Sequence, residues 1–274
     1  MNQIKYIVYT SGLDLHSHFP DFKGESIPAL DPRSAVYIGT GIAAQNMETV
    51  IVLLKSSNAS RSAFSGMTEA YYRNLPVILV TIGRELDYSV GLNDVVNSHY
   101  IVSSLKEIEN TSDLVLPAHI EIESLEKVND IKTSSLFKRL KDSVSADDYL
   151  YTSHNVSCDV DGFKCKVVVG GMENCLEGAL SNVLGASLAK KRRRYIGVDT
   201  EDEFLHDMNV LGNINVNDSL VYFVLCGHNN ETICDYAKSL GFNVKSVDVD
   251  EITKEDIKNV LDNKKKSLVV VYGE

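Results

Sequence analysis

Short apolar runs set between helix-patterned stretches constrain this chain more than any other feature. "TVIVLLK" (49–55) is a continuous apolar run of the kind needed by a strand buried on both faces, and Pro76 opens a second, "VILVTI" (77–82). "IKYIVYT" (4–10) reads as a strand before them. "RSAVYIGTGIAAQN" (33–46) and "ASRSAFSGMTEAYYRN" (59–74) carry apolar residues at helical spacing. This alternation predicts a parallel sheet with crossover helices up to about residue 110. Residues 104–130, acidic, weakly periodic and interrupted by Pro117, read as a connection laid along the surface.

The alternation then resumes. A helix is predicted near 133–144, followed by strands "YLYTS" and "CKVVVG", helix "LEGALSNVLGASLAKK", strand "RYIGV" and helix "EFLHDMNVLGN". Strand "SLVYFVL", helix "ETICDYAKSLG", strand "NVKSVDV", helix "TKEDIKNVLDN" and strand "SLVVVYG" complete it. The fold class expected is α/β: two doubly wound, mainly parallel-sheet domains, residues 1–125 and 126–274. Ligands of such sheets sit beyond the carboxyl ends of the strands.

Composition narrows the function. With 44% hydrophobic and 24% charged residues the chain is that of a soluble globular protein, and a net charge of −11 argues against general nucleic-acid binding. The one basic run, "KKRRR" (190–194), reads as a solvated helix end complementing the helix dipole. Five cysteines without a CxxC pair point to reduced thiols in the cytoplasm. The amino-terminal "MNQIKYIVYTSG" is too short and too mixed for a signal peptide, and no apolar run reaches membrane-spanning length.

Polar residues at predicted strand ends are the candidate site. Ser56, Ser57 and Asn58 crowd the end of a buried strand, where backbone amides and hydroxyls can meet an anionic group or act as ordinary helix caps. Ser11 and Gly12 are similarly placed after the first strand, with His16 in the loop behind them, and are candidates for the substrate side. The histidines at 16, 18, 154, 206 and 228 lack a carboxylate and cysteine set at metal-ligand spacing and read as surface or capping residues. No GxSxG, P-loop or GxGxxG pattern is present.

Four stretches in this order, "LDPRSAVYIGTGIA", "KSSNASRSAFSGMTEAYYRNLPVILVT", "GGMENCLEGALSNVLGASLA" and "DTEDEFLHDMNVLGN", resemble the thiamine-diphosphate-dependent enzymes of the acetolactate synthase, 2-oxo-acid decarboxylase and menaquinone-pathway synthase type. The two halves are then similar to the pyrimidine- and diphosphate-binding domains, without the middle domain many relatives carry. The resemblance implies a decarboxylase or carboligase of a 2-oxo acid. It also implies thiamine diphosphate and Mg2+ as cofactors, a small-molecule ligand, and a homodimer or higher homo-oligomer.

By the same resemblance, Gly171, Met172, Glu173, Asp202 and Phe204 would contact the cofactor together with Ser56, Ser57 and Asn58, and Glu201 and Asn229 would hold the metal. The sequence departs from the family where the chemistry sits. The glutamate that activates the aminopyrimidine ring is replaced within Asp31-Pro32-Arg33-Ser34, which leaves Asp31 or Glu25 as a substitute acid, or Asp31 as a plain helix cap with Pro32 in the first turn. The magnesium motif reads Thr200-Glu201-Asp202-Glu203-Phe204, adding carboxylates where an anion should bind. The alternative reading is a non-catalytic or repurposed homologue that binds a ligand or scaffolds a partner.

Overall fold

The structure is a computed structural model that describes residues 4–10, 13–55, 57–83, 92–107, 114–123, 131–132, 134–153, 156–157, 159–170, 178–189, 194–212 and 216–273. The chain divides into two compact units, Met1–Val128 and Asn129–Glu274, against an expected boundary at 125.

The first unit runs β1 (Tyr6–Thr10), α1 (Leu15–His18), β2 (Glu25–Ala29), α2 (Pro32–Asn46), β3 (Val50–Leu54), α3 (Ser57–Tyr72), β4 (Val77–Ile82), β5 (Ser98–Val102) and β6 (Ala118–Ile122). Its six strands lie in the order β2-β1-β3-β4-β6-β5, and every pairing is parallel. Each residue of β3 and β4 is buried, because successive side chains point to opposite faces and both faces are covered. Val50, Val52 and Leu54 pack with Val36 and Ala43 of α2 and Met67 of α3. Ile51 and Leu53 turn the other way, toward Leu13, Leu15 and Phe19.

The second unit runs β7 (Ile131–Lys132), α4 (Ser134–Ser143), β8 (Tyr149–Thr152), β9 (Val156–Ser157), β10 (Lys166–Val169), α5 (Ala179–Ala189), β11 (Tyr195–Thr200) and α6 (Glu201–Asp207). It ends with β12 (Leu220–Cys226), α7 (Glu231–Ser239), β13 (Asn243–Asp248), α8 (Lys254–Asp262) and β14 (Ser267–Tyr272). The sheet order is β10-β8-β11-β12-β14-β13, again all parallel, and β7 and β9 pair separately. Val221, Phe223 and Leu225 face α4 and α8, while Leu220, Tyr222 and Val224 face α5, α6 and α7. Both units are therefore doubly wound α/β layers, the fold class expected. Chain order reverses between β1 and β3 in one unit and between β8 and β11 in the other, and in doubly wound sheets such a reversal marks the crevice beyond the carboxyl ends of the strands where ligands bind.

Three expectations need correction. Residues 104–130 are not merely a surface connection: they contain β6, buried at all five positions and seated between β4 and β5. Its sequence, Ala-His-Ile-Glu-Ile, alternates polar with apolar and so lacks the continuous apolar signature of its neighbours. The helix expected over 203–213 begins at Glu201 and tightens into a 3-10 turn over Met208–Gly212. In the basic run, 190–193 lie outside the described residues, and Arg194 is buried rather than solvated. Two unassigned strands, β2 and β5, lie at the sheet edges; β2 carries Pro28, which an edge tolerates.

Arg194 donates from Nε to Asp148 Oδ1 (2.9 Å) and from Nη2 to Asp148 Oδ2 (2.5 Å), and reaches Asp262 and the Ser143 carbonyl with its remaining donors. The pair ties the start of β8 to the start of β11. Among the described residues, Cys165, Cys226 and Cys234 are free buried thiols, while Cys158 and Cys175 lie outside them. No described helix is long and apolar enough to cross a membrane.

Burial pushes the Asp148 carboxyl up, but hydrogen bonds from Arg194 and Ser145 outweigh it and hold the group below its ordinary 3.8. A carboxyl depressed in the folded state stabilises fully above its unfolded value, and that contribution is lost as pH falls below it. Breaking one side of a buried ion pair costs about 3–5 kcal/mol. Asp148→Asn should accordingly lower the urea midpoint at pH 7 and flatten its decline below pH 3.8. An unchanged midpoint at neutral pH would show that the pair contributes nothing net.

Candidate functional site

The crevice between β8 and β11 is closed by the chain's own side chains. Thr200 ends β11 as the N-cap of α6, and Glu203, three residues on, folds back on it. Glu203 Oε2 accepts from the Thr200 N–H (3.2 Å) and the Thr200 hydroxyl (3.1 Å). The same oxygen accepts from the Ser153 hydroxyl just beyond β8, at 2.5 Å. Ser153 and Glu203 are fully buried, so a carboxylate bridges the place where a ligand of a doubly wound sheet usually enters.

A second carboxylate, Asp207, accepts from the Ser181 N–H and hydroxyl, each at 2.6 Å, in the first turn of α5. Its charge satisfies the positive end of that helix dipole. A third, Asp199 at the end of β11, accepts from the Tyr222 hydroxyl at 2.5 Å. Gly197 makes this possible: it lies opposite Tyr222 in the register, and a Cβ there would sit 2.2 Å from the tyrosine ring. Burial, then the charge of Asp199, pushes the Tyr222 phenol well above its ordinary value, so it remains a donor.

Glu201 Oε1 accepts from Asn230 Nδ2, while Asn230 Oδ1 accepts the Ile233 N–H (3.0 Å) as the N-cap of α7. Cys226, the last residue of β12, lies beside Glu201. Burial first and Glu201 second push its thiol far up, which keeps it protonated and unreactive. Asn229 turns elsewhere, accepting from the Ser246 hydroxyl of β13 at 2.7 Å. The asparagine that meets Glu201 is thus Asn230.

The remaining candidates are scattered. Asp202 is half-buried on α6, and Phe204 is a fully buried member of the core under α5 and α7. Ser11, Gly12, Ser56, Gly171, Met172 and Glu173 lie outside the described residues; Ser57 and Asn58 open α3. His16 is exposed in α1. Asp31 is buried, and its two oxygens accept from the Ser34 N–H (2.9 Å) and the Ser34 hydroxyl (2.6 Å). It caps α2 as Pro32 enters the first turn.

Magnesium takes oxygen ligands in a near-ideal octahedron. Glu201 instead meets an amide N–H group and a thiol. A diphosphate needs donors, yet the described donors at the crevice and at α5 are already held by Glu203 and Asp207. The Asp31 carboxylate is bound to its own helix. The described residues do not fit a magnesium-bound thiamine diphosphate.

The first unit holds a cluster formed by residues that sequence reasoning did not single out. His99 of β5 lies opposite His119 of β6, and Glu121 follows two residues later on the same face. His99 Nε2 is 2.6 Å from Glu121 Oε1, His119 Nδ1 is 4.0 Å from that oxygen, and the imidazoles stack 5.0 Å apart. Burial pushes the His119 imidazole down to about 4, Glu121 opposing. The signal was present in "HIE" at 119–121, since alternate strand residues share a face; it was hidden because this stretch read as a connection. His206 is half-buried, His228 exposed, and His154 outside the described residues.

No protein-family model matches the chain. A 2-succinyl-5-enolpyruvyl-6-hydroxy-3-cyclohexene-1-carboxylate synthase from Trichodesmium erythraeum (strain IMS101) is 32% identical over 62 residues, 23% of this chain. The match spans only 11% of that curated relative's length. Among solved structures, benzoylformate decarboxylase from Polynucleobacter necessarius aligns over 99% of this chain and 96% of its own, at 10% identity and a TM-score of 0.38. A likeness at that level carries no argument about function.

If Asp31 is a cap and nothing more, Asp31→Ala should cost about 1 kcal/mol in urea unfolding, whereas Asp31→Ser, an equally good cap without an acid, should retain stability. Equal losses in both variants would point to a second role for the carboxylate.

Proposed function

We propose that this chain is a thiamine-diphosphate-enzyme-like protein repurposed as a ligand-binding or scaffolding homologue, one that does not decarboxylate or ligate 2-oxo acids by the family's usual route. The four motif stretches and the short match to the synthase support the family likeness. The observation that carries the change of role is Glu203, a buried carboxylate hydrogen-bonded to Ser153 across the crevice of the second unit.

A carboxylate there repels phosphate and attracts donors. With Glu201 and Asp207 on the neighbouring turns, the strand ends suit a ligand that is cationic or rich in N–H and O–H groups. The proton-transfer task of the missing glutamate has no replacement in Asp31, whose oxygens are engaged by Ser34. Self-association into a homodimer belongs to the same reading, on the strength of the motif likeness.

Calorimetric titration of the full chain with thiamine diphosphate and Mg2+, together with its molar mass in solution, tests this. No heat at millimolar cofactor is expected. Micromolar binding that requires Mg2+ would overturn the proposal and restore an active enzyme with an unusual metal set.

A further inference from the structure

We propose that His99, His119 and Glu121 bind one divalent transition-metal ion of the zinc type. One nitrogen of each imidazole and one carboxylate oxygen of Glu121 lie within 4.8 Å of one another. Donors around a tetrahedral zinc ion stand about 3.3 Å apart, for bonds of about 2.0 Å. The separations here, 2.6 Å for His99 to Glu121 and 4.0 Å for His119 to Glu121, straddle that value. A change of about 0.7 Å in each of these two separations brings them to that spacing.

The decisive atom is His119 Nδ1. It is buried without a hydrogen-bond partner, in a side chain with no exposed surface. Leaving such an atom unsatisfied costs about 1–3 kcal/mol. At 4.0 Å, Glu121 is too far for a hydrogen bond but well placed to share an ion. The other nitrogen, Nε2, is 3.0 Å from the Thr81 hydroxyl. With the Nε2 proton given to Thr81, Nδ1 presents its lone pair to the cluster, the outer-shell arrangement that orients metal-binding imidazoles.

An ion pair between His99 and Glu121 would account for their short contact but not for the second imidazole stacked beside it with its Nδ1 turned inward. Two imidazoles and one carboxylate suit zinc and its neighbours rather than magnesium or calcium, which take oxygen. Access comes from the edge. The His99 side chain is 20% exposed on β5, the outer strand of the sheet, leaving a direction from which an ion enters and a water completes the fourth position.

The chelator-stripped full chain is titrated with Zn2+ against a chromophoric chelator, and with Co2+ as a spectroscopic probe. One equivalent bound at micromolar affinity or better is expected, with visible cobalt bands. His99→Gln at the rim should weaken binding about 100-fold or more, and Thr81→Val about 10-fold. In case these variants fold poorly, imidazole 15N shifts in the wild-type chain provide a second readout, with Nδ1 of His119 moving on zinc addition. The proposal is overturned by no binding at micromolar zinc, by binding indifferent to His99→Gln and Glu121→Gln, or by His119 shifts that stay put.

Discussion

Covering both faces of a parallel sheet is the constraint on which everything else in this protein depends. The central strands β3, β4 and β12 are buried at every position, so a polar side chain placed among them is stripped of water on all sides. It must then find a partner inside the protein, because an unpaired polar group costs more than the fold can spare many times over. Two kinds of place escape this pressure: the carboxyl ends of the strands, where the chain leaves the sheet, and the edge, where cover runs out. Two polar clusters among the described residues occupy those places, one in each unit.

At the strand ends of the second unit the carboxylates come as matched sets. Glu203 takes Ser153 and Thr200, Asp207 takes Ser181, Glu201 takes Asn230, and Asp199 takes Tyr222 over a glycine that leaves room for the ring. Each acid has acquired its donor, and each donor is thereby withdrawn from a ligand. Replacing one acid by a small residue would free one donor while its neighbours kept the strand ends negative. The closure is thus distributed over several contacts, and at α2 Pro32 and the Asp31 cap likewise support each other.

Much of this architecture was legible in the sequence, and the parts that were not share a cause. Runs such as 50–54, 77–82 and 220–225 announce strands buried on both faces, and they fix the class and the two-unit plan. β6 escaped because His119 and Glu121 interrupt its apolar pattern, and β2 and β5 because edge strands need no continuous apolar run. Arg194 looked solvated because it ends a basic run; only the fold brings Asp148 to it, 46 residues away in the chain. The motif likeness pairs Glu201 with Asn229, whereas the asparagine hydrogen-bonded to Glu201 is Asn230. Which of two adjacent asparagines turns inward is decided by the cap of α7, and Asn230 holds that cap.

The two clusters differ in which groups face one another. In the second unit, hydroxyl, amide and backbone donors face the acids. In the first unit, Thr81 satisfies one side of His119 and leaves the other aimed at a carboxylate beyond hydrogen-bonding reach. A carboxylate and an imidazole lone pair are both acceptors, and a cation is a group that both can hold. A proton can serve one such pair at a time, whereas a divalent ion serves both imidazoles and the carboxylate together. The same sheet geometry that hid β6 from the apolar pattern therefore also sets its histidine, its glutamate and the edge histidine on one face, which no spacing within a single strand would have achieved.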